Sequence, residues 1–206
     1  MTIQTDHYKN TITIPKASGS GIMVDETAPT YPWKAVSISN FVPYGTPATL
    51  GAGATKPGAY YYFSLNDVVW CQMELPSDYI TGTDIYFYTN CFFDSTNNGI
   101  SYSWEYSAAY SKGFARGTMS TPVAVTTTSK YSQSGRGIVE YNEALISGTG
   151  LIPTANLLPG GFIGCQIKLV TLAPNGASDE PALVTAGIMY QSSGMGTKSR
   201  GPNYFT

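Results

Sequence analysis

From Ile100 to Ser107 every second residue is large and apolar: Ile100, Tyr102, Trp104 and Tyr106 alternate with Ser101, Ser103, Glu105 and Ser107. A period of two places the four large side chains on one face of an extended strand and the polar ones on the other. The register of such a strand is closely held, because a slip of one residue would carry Trp104 from a core into water. The same reading predicts strands at 34–40, at 60–75 with a break at Asn66-Asp67, and at 84–93, 121–127, 136–141, 162–172 and 183–190. Ile163, Cys165, Ile167 and Leu169 make the apolar side of 162–172, and Val184, Ala186, Ile188 and Tyr190 that of 183–190. Residues 94–99 end in Asn98-Gly99, a pair that tolerates positive φ, so 84–93 and 100–108 are expected to form a hairpin.

Between these segments lie Gly/Pro-rich stretches, the longest at 42–59, and no window carries the 3.6-residue period of a crossover helix. Charged residues make up only 12 % of the 206, too few for the polar faces of amphipathic helices. The expected fold class is therefore all-β: an antiparallel β-sandwich, jelly-roll-like, with extended N- and C-terminal arms. An immunoglobulin-like sandwich ranks second, since no tryptophan lies between paired cysteines in the required way. The expected boundaries are an N-terminal arm at 1–33, one sandwich domain at 34–191 and a C-terminal tail at 192–206. Both ends hold isolated apolar groups, Ile12 and Ile14 in one and Tyr204 and Phe205 in the other, among Gly, Ser, Pro and Thr. Such sparse groups form no core alone, so their cover is expected from other subunits.

The chemistry is sparse. A net charge of −2 with scattered basic residues offers no attraction for a phosphate backbone, so no nucleic acid partner is expected. No stretch reaches the roughly 18–20 apolar residues that cross a bilayer, and MTIQTDHYKNTITIP lacks the basic and apolar regions of a leader. No membrane partner is expected, and the chain is read as cytosolic until assembled. Cys71, Cys91 and Cys165 each fall within strand pattern and read as buried thiols. His7 is the single histidine and lies in the N-terminal arm, a poor base for a nucleophile pair or a zinc site.

Glu74 and Glu105 stand in strands beside aromatic residues and read as solvent-face charges rather than an acid/base pair. The segment 51–58 lacks the Gly-Lys-Ser/Thr ending of a phosphate loop. Asp94 with Asn97 and Asn98, or Asp179 with Glu180, offers hard oxygen ligands, but turn chemistry explains the first set and loop solubility the second. No catalytic, cofactor-binding or metal-binding residue is assigned, and the chain is expected not to be an enzyme.

What stands out is aromatic. If Ile85, Phe87, Thr89 and Cys91 face the core, Tyr86, Tyr88 and Phe92 share the opposite face of their strand and need cover. Tyrosine buries ring area while its hydroxyl keeps a polar partner, which suits protein interfaces and sugar platforms alike. The candidate interface residues are thus Ile12, Ile14, Tyr86, Tyr88, Phe92, Tyr204 and Phe205.

The run from Leu75 to Thr89 with its Gly82-Thr83-Asp84 step, the strand Ile100–Tyr106 with Trp104-Glu105-Tyr106, and the closing strands Gly161–Leu169 and Ala182–Tyr190 resemble tailed-bacteriophage virion proteins. The resemblance spans 68–190 with gaps and is one of strand pattern. It implies a jelly-roll subunit of the capsid decoration or cement type, assembled in the host cytoplasm into the virion. Its partners would be other virion proteins, the major capsid protein foremost, and further copies of itself as a homo-oligomer. The alternative is a carbohydrate- or receptor-binding β-sandwich of a phage tail or fibre, with a glycan as ligand.

Overall fold

The structure, a computed structural model, describes residues 2–5, 10–13, 23–24, 33–38, 40–52, 58–94, 99–111, 122–132, 139–148, 152–174 and 179–193. The chain divides into two compact units, Met1–Pro32 and Trp33–Thr206. In the first, β1 (Thr2–Thr5), β2 (Asn10–Thr13) and β3 (Met23–Val24) form a small antiparallel sheet, with Ile12 of β2 in register with Ile3 and Val24.

The second unit runs through β4 (Trp33–Ile38), β5 (Val42–Pro43), β6 (Thr49–Ala52), β7 (Ala59–Tyr62), β8 (Val68–Glu74) and β9 (Ile85–Phe93). It continues through β10 (Ser101–Ser111), β11 (Val123–Thr126), β12 (Lys130–Tyr131), β13 (Glu140–Leu145), β14 (Phe162–Ala173) and β15 (Pro181–Gln191), with one 3-10 turn at Thr154–Asn156. One sheet has the order β13-β9-β15-β7-β6, with β4 also on β15; the other has β11-β10-β14-β8-β5, with β12 also on β10. With β7, β8, β9, β10, β11, β13, β14 and β15 taken as first to eighth, the sheets run 1-8-3-6 and 2-7-4-5. That order, antiparallel throughout, is the two-sheet jelly roll. No helix among the described residues is long and apolar enough to cross a membrane.

The expected hairpin between 84–93 and 100–108 does not form. β9 pairs with β13 and β15, whereas β10 pairs with β14, β11 and β12, so the connection crosses from one sheet to the other. A turn signal says that the chain leaves a strand, not which strand receives it. Here both strands have an apolar inner face, and facing each other across the sandwich buries both faces, which flat pairing would not.

The alternation predicted in β10 is met. Ile100, Tyr102, Trp104 and Tyr106 are fully buried and meet Phe63 and the inner face of β9. Phe63 stands edge-on to Trp104 at 4.9 Å, Phe87 to Tyr106 at 4.8 Å and Phe93 to Tyr102 at 5.1 Å. Edge-to-face geometry suits rings with negative faces and positive rims, and each such pair adds about 0.5–1.5 kcal/mol beyond its burial. Opposite them, Ile163, Cys165, Ile167 and Leu169 of β14 are buried as the pattern required. In β15 the register against β9 shifts between Leu183 and Thr185. At this bulge Leu183 takes the core position and Val184 is only half-buried, while Ala186, Ile188 and Tyr190 stay inside.

Candidate functional site

The outer face of the β13-β9-β15-β4 sheet collects the aromatic side chains that the strand period sends away from the core. Inner positions of β9 are Ile85, Phe87, Thr89 and Cys91, all fully buried, which turns Tyr86, Tyr88 and Phe92 outward. Tyr88 and Phe92, expected as interface groups, are nonetheless covered by the chain itself. Tyr88 stacks on Tyr141 of β13 with centroids 5.5 Å apart, and its hydroxyl reaches Ser37 of β4 at 2.7 Å. To do so it crosses β15 at Gly187, where a Cβ would lie 2.8 Å from the Tyr88 hydroxyl. Phe92 is closed over by Tyr60, edge-on at 5.0 Å. Only glycine at 187 leaves room for a ring to lie flat on the sheet, so a group that the alternation turned outward becomes buried.

Tyr86 is half-buried, with Trp33 edge-on to it at 5.6 Å. Trp33 is 43 % exposed and Tyr141 39 %. Trp33, Tyr86, Glu143 and Met189 surround a hollow of about 240 Å³. The Tyr141 hydroxyl donates to the Glu143 carboxylate at 2.6 Å and touches the Met189 sulfur. Partial burial, and then that bond to an anion, push the Tyr141 hydroxyl well above its ordinary range, so it stays a neutral donor. Pattern reading missed Trp33, Tyr141, Glu143 and Met189. The signal for Tyr141 and Glu143 was their own alternation around the buried Asn142, and Trp33 sat unused at the expected arm boundary. Ile14, Tyr204 and Phe205 lie outside the described residues, and for Ile12 only the backbone is described.

A second hollow, of about 740 Å³, opens on the outer face of the other sheet, lined by Asn40, Phe41, Val42, Trp70, Gln72 and Gly164 with Cys71. Val42 pairs with Trp70, and Gln72 with Gly164, so strand register alone brings these residues into adjacent rows. Tyr44, 62 % exposed, stands edge-on to Trp70 at 5.8 Å. The sequence reading took this strand as central because it is apolar on both faces. It is interior to its sheet, and among the described residues no helix covers its outer face.

The remaining candidates resolve differently. The three cysteines are free and buried. Burial pushes the Cys71 thiol up to about 12; burial, and then the neighbouring Glu140, push Cys91 to about 12, and burial carries Cys165 well above its ordinary value. None is a thiolate at neutral pH, so none is a nucleophile there. Glu74 is exposed, and Glu105 is half-buried with Lys168 across from it on β14. His7, Asn97 and Asn98 lie outside the described residues. Asp179 is buried, and the Glu180 carboxylate accepts the Ser64 hydroxyl. Among the described residues no three of His, Cys, Asp and Glu are placed to hold a metal ion.

No protein-family model matches the chain, and no curated protein matches it. Among solved structures it is similar to the family 11 carbohydrate-binding module from Clostridium thermocellum in complex with a β-1,3-1,4-mixed-linked tetrasaccharide. The identity is 10 %, over 82 % of this chain and 93 % of the module, with a TM-score of 0.35. It is also similar to a chain in the structure of infectious bursal disease virus Gx strain, at 12 % identity over 90 % of this chain and a TM-score of 0.29. This chain spans 43 % of that one. The jelly-roll assignment rests on the strand order.

Proposed function

We propose that this chain is a non-enzymatic structural subunit of a virion, a capsid decoration or cement protein held to other capsid subunits through the outer face of the β13-β9-β15-β4 sheet. The observation that carries the reading is the aromatic group there: Trp33 stands partly exposed over a hollow shared with Tyr86, Glu143 and Met189, and the partly exposed Tyr141 is bonded to Glu143 beside it. Tryptophan, tyrosine and methionine are enriched where proteins meet, because they bury large areas at small cost in side-chain freedom. The backing of Trp33 by Tyr86 and of Tyr141 by Tyr88 keeps these rings in one orientation before a partner arrives. Burial raises the thiol pKa values of Cys71 and Cys91, which speaks against nucleophilic catalysis by these cysteines. The strand pattern's resemblance to tailed-bacteriophage virion proteins supports the particle as the place.

Trp33→Ala and Tyr141→Ala test this. Each is expected to weaken attachment to purified capsids by about 2 kcal/mol, the scale of an interface hot spot, while the unfolding transition of the isolated chain hardly moves. Wild-type protein that fails to co-sediment with capsids, or variants that attach as tightly as wild type, would reject the reading. The glycan-binding alternative finds its support elsewhere on the molecule, in the hollow beside Trp70.

A further inference from the structure

We infer that the hollow bounded by Phe41, Val42, Trp70 and Gln72 is a binding site for a neutral oligosaccharide. At about 740 Å³ it lies within the range of ligand sites, which is roughly 300–1,000 Å³, and it is three times the hollow on the opposite sheet. The residues around it decide the class of ligand. None of the lining residues among those described carries a charge, so an anionic or cationic ligand would lose its hydration without gaining a counter-ion from them. Asn40 and Gln72 are both exposed, and each side-chain amide offers two donors and an acceptor. A wholly apolar ligand would bury those amides unpaired.

What remains is a neutral ligand with apolar faces and many hydroxyls. The C–H face of a pyranose ring packs on the electron-rich face of an aromatic ring, and its hydroxyls pair with amides that both donate and accept. Phe41 and Trp70 of the lining supply rings, with Tyr44 edge-on to Trp70 beside them, and Asn40 and Gln72 supply the amides. Gly164, paired with Gln72 across the strands, adds no side chain to the floor and leaves its depth open. Strand pairing makes the floor, so the site sits on rigid backbone and is formed before the ligand arrives.

The site lies on the opposite sheet from the proposed capsid-binding face, and its test uses the isolated chain without any particle, so the two readings stand or fall separately. The experiment titrates the protein with a panel of short neutral oligosaccharides of glucose, mannose, galactose, rhamnose and N-acetylglucosamine, beside uronic-acid and sialylated comparators. Calorimetry reads affinity, and the indole N–H resonances of the three tryptophans report the place. At least one neutral oligosaccharide should bind saturably and shift the Trp70 resonance while leaving Trp104 unmoved. Gln72→Ala and Tyr44→Ala, both at exposed positions, should each weaken that binding about tenfold or more, and Val139→Ala should not. Absence of binding across the neutral panel would overturn the inference. So would binding of the charged comparators alone, or neutral binding indifferent to Gln72→Ala and Tyr44→Ala.

Discussion

The side-chain hydroxyls of Thr89 and Tyr106 meet at 2.8 Å across the gap between the two sheets, and both residues are fully buried. Thr89 belongs to β9 and Tyr106 to β10, so the bond ties the sheets at a point where most contacts are apolar. Tyr106→Phe leaves the Thr89 hydroxyl enclosed without that partner and is expected to cost about 1–3 kcal/mol in urea unfolding. Thr89→Val should cost a similar amount, and the double variant less than the sum. Single costs that simply add would mean that the bond contributes nothing.

Gly187→Ala is expected to be among the most damaging small substitutions. A methyl group at 187 collides with the Val36 carbonyl oxygen and crowds the Tyr88 hydroxyl, so β4 must separate from β15 or Tyr88 must leave Ser37. Loss of more than about 3 kcal/mol, or failure to fold, is the expected result in thermal unfolding. Tyr88→Phe, which removes only the hydroxyl, should cost about 1 kcal/mol. A Gly187→Ala variant with wild-type stability would show that the ring does not lie across this strand.

Cys71, Cys91 and Cys165 are expected to resist thiol reagents in the folded protein at pH 8 and to titrate as three free thiols after denaturation. Their raised pKa values, caused first by burial, keep the reactive thiolate scarce. Fast modification of any of them under native conditions would contradict the burial described.

Asp78 links Lys34 at 2.6 Å, Tyr190 at 2.9 Å and Ser192 at 2.5 Å. Burial by itself would raise its pKa, but the bonds donated by Lys34, Ser192 and Tyr190 outweigh it and hold the carboxyl below its ordinary value. With the folded pKa lowered, the unfolded chain binds the proton more readily. The stabilisation is therefore present above the unfolded value of about 4 and is lost as pH falls through the folded one. Asp78→Asn should lower stability at pH 7 and flatten its decline below about pH 4. A decline of unchanged steepness would assign the acid sensitivity to other carboxylates.

Much of this architecture was legible along the chain because strand alternation is local. Ile100, Tyr102, Trp104 and Tyr106 show their facing in eight residues, as do Ile163 to Leu169, and the break at Asn66-Asp67 appears as a left-handed Asn66 between β7 and β8. Facing follows from the geometry of one strand. Pairing does not, and the assumed hairpin at 94–99 failed because two strands with apolar inner faces can be neighbours in one sheet or opposite each other in two. The outward turn of Tyr86, Tyr88 and Phe92 followed from the same alternation, whereas their cover came from Trp33, Tyr141 and Tyr60, far away in sequence.

By itself, then, the sequence determined the β class, the inner faces of the principal strands and the buried state of the three thiols, all consequences of a two-residue period and of side-chain polarity. Only the tertiary structure decided the sheet order 1-8-3-6 and 2-7-4-5, the burial of Tyr88 over Gly187, and the two hollows around Trp33 and Trp70. These depend on which distant strands become neighbours, a choice made by the joint burial of many faces at once and carried by no single segment.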